Sequence, residues 1–193
     1  MDFFDEVYRT TPPWDIGRAQ GEIAALEEAG EIAGDVLDVG CGTGENALYL
    51  ASRGHAVWGV DAAPRAIDLA RGKVQERGIA ATFLVQDVLS LCELGRTFDT
   101  VVDSGLFHTL SDADRPRFVR SLTDVLEADG TYIMLAFSDL EPGEFSLPRR
   151  ISQEEIRATF AEGWRIDWIR PAVFESTIRP NGSLAWLSAI ARA

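Results

Sequence analysis

The sequence predicts a doubly wound, Rossmann-like α/β fold, and three observations carry that reading. An apolar strand, Val36-Leu37-Asp38-Val39, runs straight into glycines at alternate positions, Gly40, Gly42 and Gly44, and an amphipathic helix follows. A second apolar run, Ala56 to Val60, ends in Asp61, about twenty residues after the first glycine, as a nucleotide-binding βαβ unit requires. Beyond it, continuous apolar runs alternate with helical stripes, the pattern of strands covered by helices on both faces.

The elements follow in order. Residues 16–29 carry Ile23 and Leu26 among helix-forming polar residues and stop near Gly30, which predicts a helix leading into the first strand. After the second strand, Pro64 suits a first helical turn, Ile67, Ala70 and Val74 share one face, and Gly78 ends the helix. Thr82 to Val85 reads as the third strand and Thr100 to Val102 as the core of the fourth. A stripe of Phe118, Val119, Leu122, Val125 and Leu126 predicts a helix after Ser111-Asp112. Asp129-Gly130 then turns the chain into an apolar strand, Thr131 to Phe137. Ser152-Gln153-Glu154-Glu155 is a capping box, with Ile151 and Ile156 spaced as a hydrophobic staple, and its helix is expected to end at Gly163. Trp164 to Ile169 and Leu184 to Ile190 read as two closing strands.

Composition narrows the function. A length of 193 residues suits one domain. We divide it into an N-terminal lid and helix (1–30), a nucleotide-binding core (34–137), a substrate loop (138–151) and a C-terminal helix and strand pair (152–193). The net charge of −13 argues against a nucleic-acid substrate, since phosphate binding needs a basic surface. No apolar run approaches the roughly 20 residues of a membrane span, and the acidic start Met1-Asp2-Phe3-Phe4-Asp5-Glu6 is unlike a secretory signal. Two cysteines make neither a disulfide framework nor a metal site. The expectation is a cytoplasmic protein, monomer or homodimer, handling a small molecule without a metal, a nucleic acid or a membrane.

The glycine spelling decides which nucleotide. A dinucleotide fingerprint wants glycine at its sixth position; counting from Gly40 that position is Glu45. Asp38-x-Gly40-x-Gly42-x-Gly44 instead resembles motif I of the class I S-adenosylmethionine-dependent methyltransferases. The resemblance continues through Gly59-Val60-Asp61, Gln86-Asp87-Val88 and Phe98 to Asp103, in the family's order and spacing, and covers roughly residues 34–137. Pro13-Trp14-Asp15-x-Gly17-Arg18 and Gly44-Glu45-Asn46-Ala47 are similar to the thiopurine, halide and thiol methyltransferase branch. The resemblance implies a seven-stranded, mostly parallel sheet whose last strand is antiparallel.

Candidate site residues lie past the carboxyl ends of the strands. Gly40, Cys41, Gly42 and Gly44 shape the loop, and the helix N-terminus after Gly44 offers free N–H groups. Cys41 reads as a small turn residue. Asp61, followed by Ala62, is the candidate ribose ligand, the alternative being a cap ahead of Pro64. Asp38 either holds the glycine loop or touches the cofactor. The resemblance implies that Asp87 sits near the adenine amino group, with Val88 giving a backbone amide. It also implies that Trp14 covers the cofactor, Arg18 pairs with its carboxylate and Asn46 reaches its methionyl group. Trp14 as a core anchor is the other reading. Asp103 lies past the fourth strand, to bind the cofactor's ammonium end or the substrate.

His108 is the histidine near this rim and could act as a general base, while His55 lies at the opposite end. The reading without proton transfer is preferred for His108, because many members of the family use no base and alignment alone supplies much of the rate. Phe3, Phe4, Tyr8, Phe107, Phe145 and Phe174 are candidate walls of an aromatic-accepting pocket or ordinary core. Arg149 and Arg150 could grip an acidic group or lie solvated. The expected reaction moves a methyl group from S-adenosyl-L-methionine to an S, O or N atom of a small aromatic or thiol-containing molecule, leaving S-adenosyl-L-homocysteine. Two rivals stand beside it. One is a nicotinamide-dependent oxidoreductase, which Glu45 and the lack of a Tyr/Lys pair disfavour. The other is a catalytically silent cofactor-binding module.

Overall fold

The computed structural model describes residues 3–143 and 148–193. Seven strands form one sheet in the order β3-β2-β1-β4-β5-β7-β6. They are β1 (Val36–Val39), β2 (Val57–Asp61), β3 (Thr82–Val85), β4 (Phe98–Ser104), β5 (Leu126–Phe137), β6 (Trp164–Ser176) and β7 (Arg179–Arg192). Parallel pairing joins β3, β2, β1, β4 and β5, and β7 runs antiparallel between β5 and β6. The reversed strand is therefore the last one, as the family resemblance implied. Helices α1 (Phe3–Val7), α2 (Gly21–Glu28), α3 (Glu45–Ser52), α4 (Pro64–Arg77), α5 (Arg115–Val125) and α6 (Gln153–Thr159) cover the sheet. Among the described residues, no helix is long and apolar enough to cross a membrane.

Each face has its own core. Phe98, Phe107, Phe118, Tyr132 and Phe160 cluster with the inner stripe of α5 and with Ile156 of α6. Ile23, Leu26, Leu48, Leu50 and Ile67 pack the opposite face with Val102 and Leu135. The strands between them are buried on both sides, which is why they read as unbroken apolar runs.

Local signals explain most boundaries. Pro64 stands at the start of α4, and Gly78, with φ +64°, closes it in the left-handed conformation. The Ser152–Glu155 capping box is formed in both directions, and the staple residues Ile151 and Ile156 are fully buried. Four boundaries differ from expectation. The first predicted helix begins at Gly21, because residues 16–20 are spent on contacts with β6. The α6 helix stops at Thr159, where Phe160 turns into the core. Strand β5 starts at Leu126 and absorbs the Asp129-Gly130 turn as an irregularity opposite β4, with Asp129 at φ +62°. The closing hairpin is far longer than its two apolar runs.

In this strand order the topological switch point falls between β1 and β4. There the connections leave in opposite directions and open a crevice beyond the strand ends. Gly40 follows β1 and Ser104-Gly105 ends β4, so both loops border the crevice. A Cβ on Gly40 would stand 2.9 Å from the Leu106 side chain of the facing loop.

Candidate active site

The glycine loop is held from below by Asp61. One carboxylate oxygen accepts from the Gly42 N–H and the other from the Ala63 N–H, each at 2.9 Å. Gly40, Gly42 and Gly44 all adopt positive φ, at +65°, +55° and +85°. Space also excludes side chains there: a Cβ on Gly44 would lie 2.6 Å from the Phe83 ring, and one on Gly42 would lie 2.7 Å from the Tyr8 hydroxyl. Glu45, the residue that breaks the dinucleotide fingerprint, is bound by Lys73 at 2.8 Å and by Arg77 through two bonds. The chain's single lysine also donates to Thr43 Oγ1 at 2.6 Å, and Thr43 in turn donates to Asp15 at 2.7 Å.

Over this loop lies a strap, residues 8–20. Trp14 meets Tyr8 edge to face, and its indole N–H donates to the Tyr8 hydroxyl at 3.1 Å. The cleft between strap and loop encloses about 60 Å³ and is bounded by Tyr8, Trp14, Asn46, Ser104 and Phe174 among others. Ordinary ligand pockets start near roughly 300 Å³, so the strap lies closed on the loop in this conformation.

The strap is stitched to the edge strand β6. The Thr177 N–H donates to the Pro13 carbonyl at 2.8 Å, and Gln20 exchanges two hydrogen bonds with the backbone of Glu175. Arg18 makes a two-pronged pair with the Glu175 carboxylate at 2.9 and 2.7 Å, where a pairing with the cofactor's carboxylate was expected. That ion pair holds the Glu175 carboxyl below its ordinary range. Asn46, expected at the methionyl group, accepts from the Gln20 N–H at 2.9 Å.

Beneath the loop sit buried acids. Asp38 is fully buried, and no described residue satisfies its Oδ2. Burial first, and then the charge of Asp103, push its carboxyl up to about 8. Asp103 does not open into the cleft: it accepts from Tyr132 Oη at 2.7 Å and from the Leu106 and Phe107 amides. Burial raises it to about 7 against those donors. Asp87 caps the 3₁₀ stretch Val88–Leu94 by accepting from the Leu89 N–H at 2.9 Å, with Val88 buried beside it and Ala62 exposed near Asp61. Burial and the carboxylates of Asp38 and Asp61 push the Cys41 thiol up, so it is no nucleophile.

His108 is buried in an aromatic corner. Its ring lies 4.6 Å from that of Phe137 and 5.9 Å from that of Phe174, and its Nδ1 accepts from the Phe137 N–H at 3.1 Å. Burial, helped by the Arg115 guanidinium, pulls it down to about 3, so it is neutral. The general-base reading therefore loses its proton acceptor: Nδ1 is occupied and the proton resides on Nε2.

The other candidates divide. Phe174 and Tyr8 border the cleft, whereas Phe107 is a core residue between Phe118 and Phe160. Phe4 packs with Tyr8 beside Ala63 and Ala66. The side chain of Phe3, and Phe145 entirely, lie outside the described residues. Arg149 grips Asp112 and Glu155, and Arg150 donates to the Gly143 carbonyl, both while partly exposed to solvent. Sequence reasoning missed Glu175, Gln20 and Lys73. Only the polar face of residues 15–20 hinted at them, and that face also fits a helix.

The loop fits an adenosyl cofactor on the chain's own features: an unsatisfied buried carboxyl oxygen and a cradle that admits no side chains. Comparison with known proteins agrees. Residues 36–130 match the family described as methyltransferase domain. The chain is 39% identical over 182 residues to 2-heptyl-1-hydroxyquinolin-4(1H)-one methyltransferase of Mycobacteroides abscessus, covering 89% of this chain and 80% of that one. It is 30% identical over 128 residues to probable thiol methyltransferase 2 of Arabidopsis thaliana, covering 65% of this chain and 56% of that one. A solved structure from work on the conversion of a disulfide bond into a thioacetal group during echinomycin biosynthesis superposes with a TM-score of 0.88. It is 37% identical, and the match covers 98% of this chain and 91% of that one.

Proposed function

From a chain that belongs to the class I S-adenosylmethionine-dependent methyltransferases, acting on a small molecule, we infer transfer of the methyl group to a hydroxyl oxygen on an aromatic heterocycle. The observation that carries this reading is the aromatic corner of Phe137, His108 and Phe174 at the ends of β5 and β6, beside the cleft. A flat ring would stack against such an aromatic corner. The relative that acts on a 1-hydroxyquinolinone supports the same acceptor class.

When bound, S-adenosylmethionine supplies a methyl group activated on a positively charged sulfur. Gly40, Gly42 and Gly44 would let its backbone-facing parts approach the loop, and Asp61 with Ala62 would take the ribose. Asp87 and Val88 would meet the adenine. Asp38, whose Oδ2 is unsatisfied, would partner a cation that draws off its proton. Trp14 and Tyr8 on the strap would exclude water from the transfer path. A second reading, transfer to sulfur, is favoured by the relative named a thiol methyltransferase and by the neighbour from work on a disulfide.

An assay with methyl-labelled S-adenosylmethionine and a matched set of hydroxyquinolinones, phenols and thiols tests this. The expected product is an O-methylated heterocycle formed one for one with S-adenosylhomocysteine. Label on the thiols alone would select the second reading, and label on none would reject both.

A further inference from the structure

The corner that holds His108 is built to present one nitrogen. The Phe137 N–H fixes Nδ1 as the acceptor, and the Phe137 and Phe174 rings clamp the imidazole from two directions. The tautomer with hydrogen on Nδ1 would set a second N–H against that of Phe137, which a buried backbone donor does not tolerate. Nε2 must then carry the hydrogen. Among the described residues nothing accepts from it. The adjoining Cε1 stands 3.5 Å from where a Gly105 Cβ would be, and Phe174 fills the same notch at 2.9 Å. Gly105 follows Ser104 of the cleft wall, and Phe174, whose ring meets that of His108, lines the same cleft.

The surroundings also oppose a second proton on the ring. Arg115, buried at the start of α5 over the Phe107 ring, is the nearest cation. Its Nη1 faces Asp112 at 3.3 Å and Glu155 of α6 at 3.5 Å, while Nε and Nη2 have no described partner. Arg149 donates its backbone N–H to the His108 carbonyl. Asp103, on the β4 side, spends its oxygens on Tyr132 and two amides. Among the described residues no carboxylate pairs with the imidazole.

We propose that His108 is a fixed hydrogen-bond donor, offering Nε2–H to an acceptor that enters with its hydroxyl already ionised. This rests on the oxygen-transfer reading above. Such a site selects an acidic hydroxyl, on nitrogen or on an electron-poor ring, whose proton is lost to water near neutral pH. The ionised oxygen then bonds the methyl carbon, the C–S electron pair stays with sulfur, and no proton changes hands in the site.

Ring ¹⁵N spectra test the donor state without turnover. With two histidines in the chain, assignment is direct. His108 should keep the neutral Nε2–H signature from about pH 5 to about pH 8, across the ordinary imidazole range. Titration in that window, or hydrogen on Nδ1, would overturn the proposal. Two variants separate the roles. His108→Asn keeps an acceptor near the Nδ1 position and loses the Nε2 donor, so stability should hold while kcat/KM falls about 10-fold or more. His108→Gln keeps a donor near Nε2 and should lose stability but retain more of the transfer rate. Equal loss of rate in both variants would contradict a donor role. Across hydroxyquinolinones of graded acidity, the acidic limb of kcat/KM should move with the acceptor's own pKa. A limb fixed at one pH for every acceptor would mean an enzyme base. Methylation of sulfur only would reject the oxygen reading, while the ¹⁵N result still decides the state of His108.

Discussion

Asp38, Asp103 and His108 share one environment and answer it in opposite ways. Burial disfavours charge, so the two carboxyls are raised from 3.8 to about 8 and about 7, and the imidazole falls from 6.5 to about 3. Between about pH 4 and about pH 8 the folded chain keeps protons on Asp38 and Asp103 that the unfolded chain has released. Their contribution therefore turns unfavourable as pH rises through that window. His108 works the other way: the unfolded chain gains a proton below about 6.5 that the folded ring refuses, and stability is lost as pH falls toward 3. The prediction is a substitution whose effect depends on pH. Asp38→Asn keeps an acceptor for the Ala47 N–H and removes the charge. Without cofactor, it should raise the thermal midpoint at pH 8 and leave it nearly unchanged at pH 5. An equal shift at both values would mean that Asp38 is not proton-linked to folding.

At the scale of elements, the strap and the edge strand solve each other's problem. An exposed edge leaves unpaired N–H groups, and those of Val173, Glu175 and Thr177 are taken by Glu22, Gln20 and Pro13. The strap in return gains anchors that a short segment could not supply from its own contacts. Glu175 is the common knot, since its carboxylate holds both Arg18 and the Gly21 N–H. Glu175→Ala should speed tryptic cleavage after Arg18 and weaken binding of S-adenosylmethionine, with the thermal midpoint little changed because the pair is largely exposed. Unchanged cleavage would show that the Glu175 carboxylate does not hold the strap. This reciprocity is also what sequence reading could not see. Residues 16–20 have a helical composition, and their partners lie some 155 positions away. Elements with local punctuation were legible: Pro64 and Gly78 bracket α4, and Ser152 with Glu155 opens α6.

For the whole molecule, strand order places the site. Five parallel strands put Gly40, Asp61 and Ser104 at one edge, and the reversed β7 brings Glu175 and Phe174 of β6 to that same edge. The motif glycines and Asp61 could be read from spacing because their backbone demands are local. The contacts of Arg18, Asn46, Asp103 and His108 could not, because each is set by a partner from a distant element. Two of these, Arg18 and Asn46, serve the strap, and the other two serve the β4 rim. Asp61 and the loop above it are the proposed seat of the cofactor. Calorimetric titration of the wild-type chain and of Asp61→Ala with S-adenosylmethionine tests that claim most directly, provided both variants are first shown to be folded. The wild type should bind saturably and the variant should lose affinity about 10- to 100-fold, as expected when a charged hydrogen-bond partner is removed. Equal affinity in the two would contradict it and move the cofactor away from this loop.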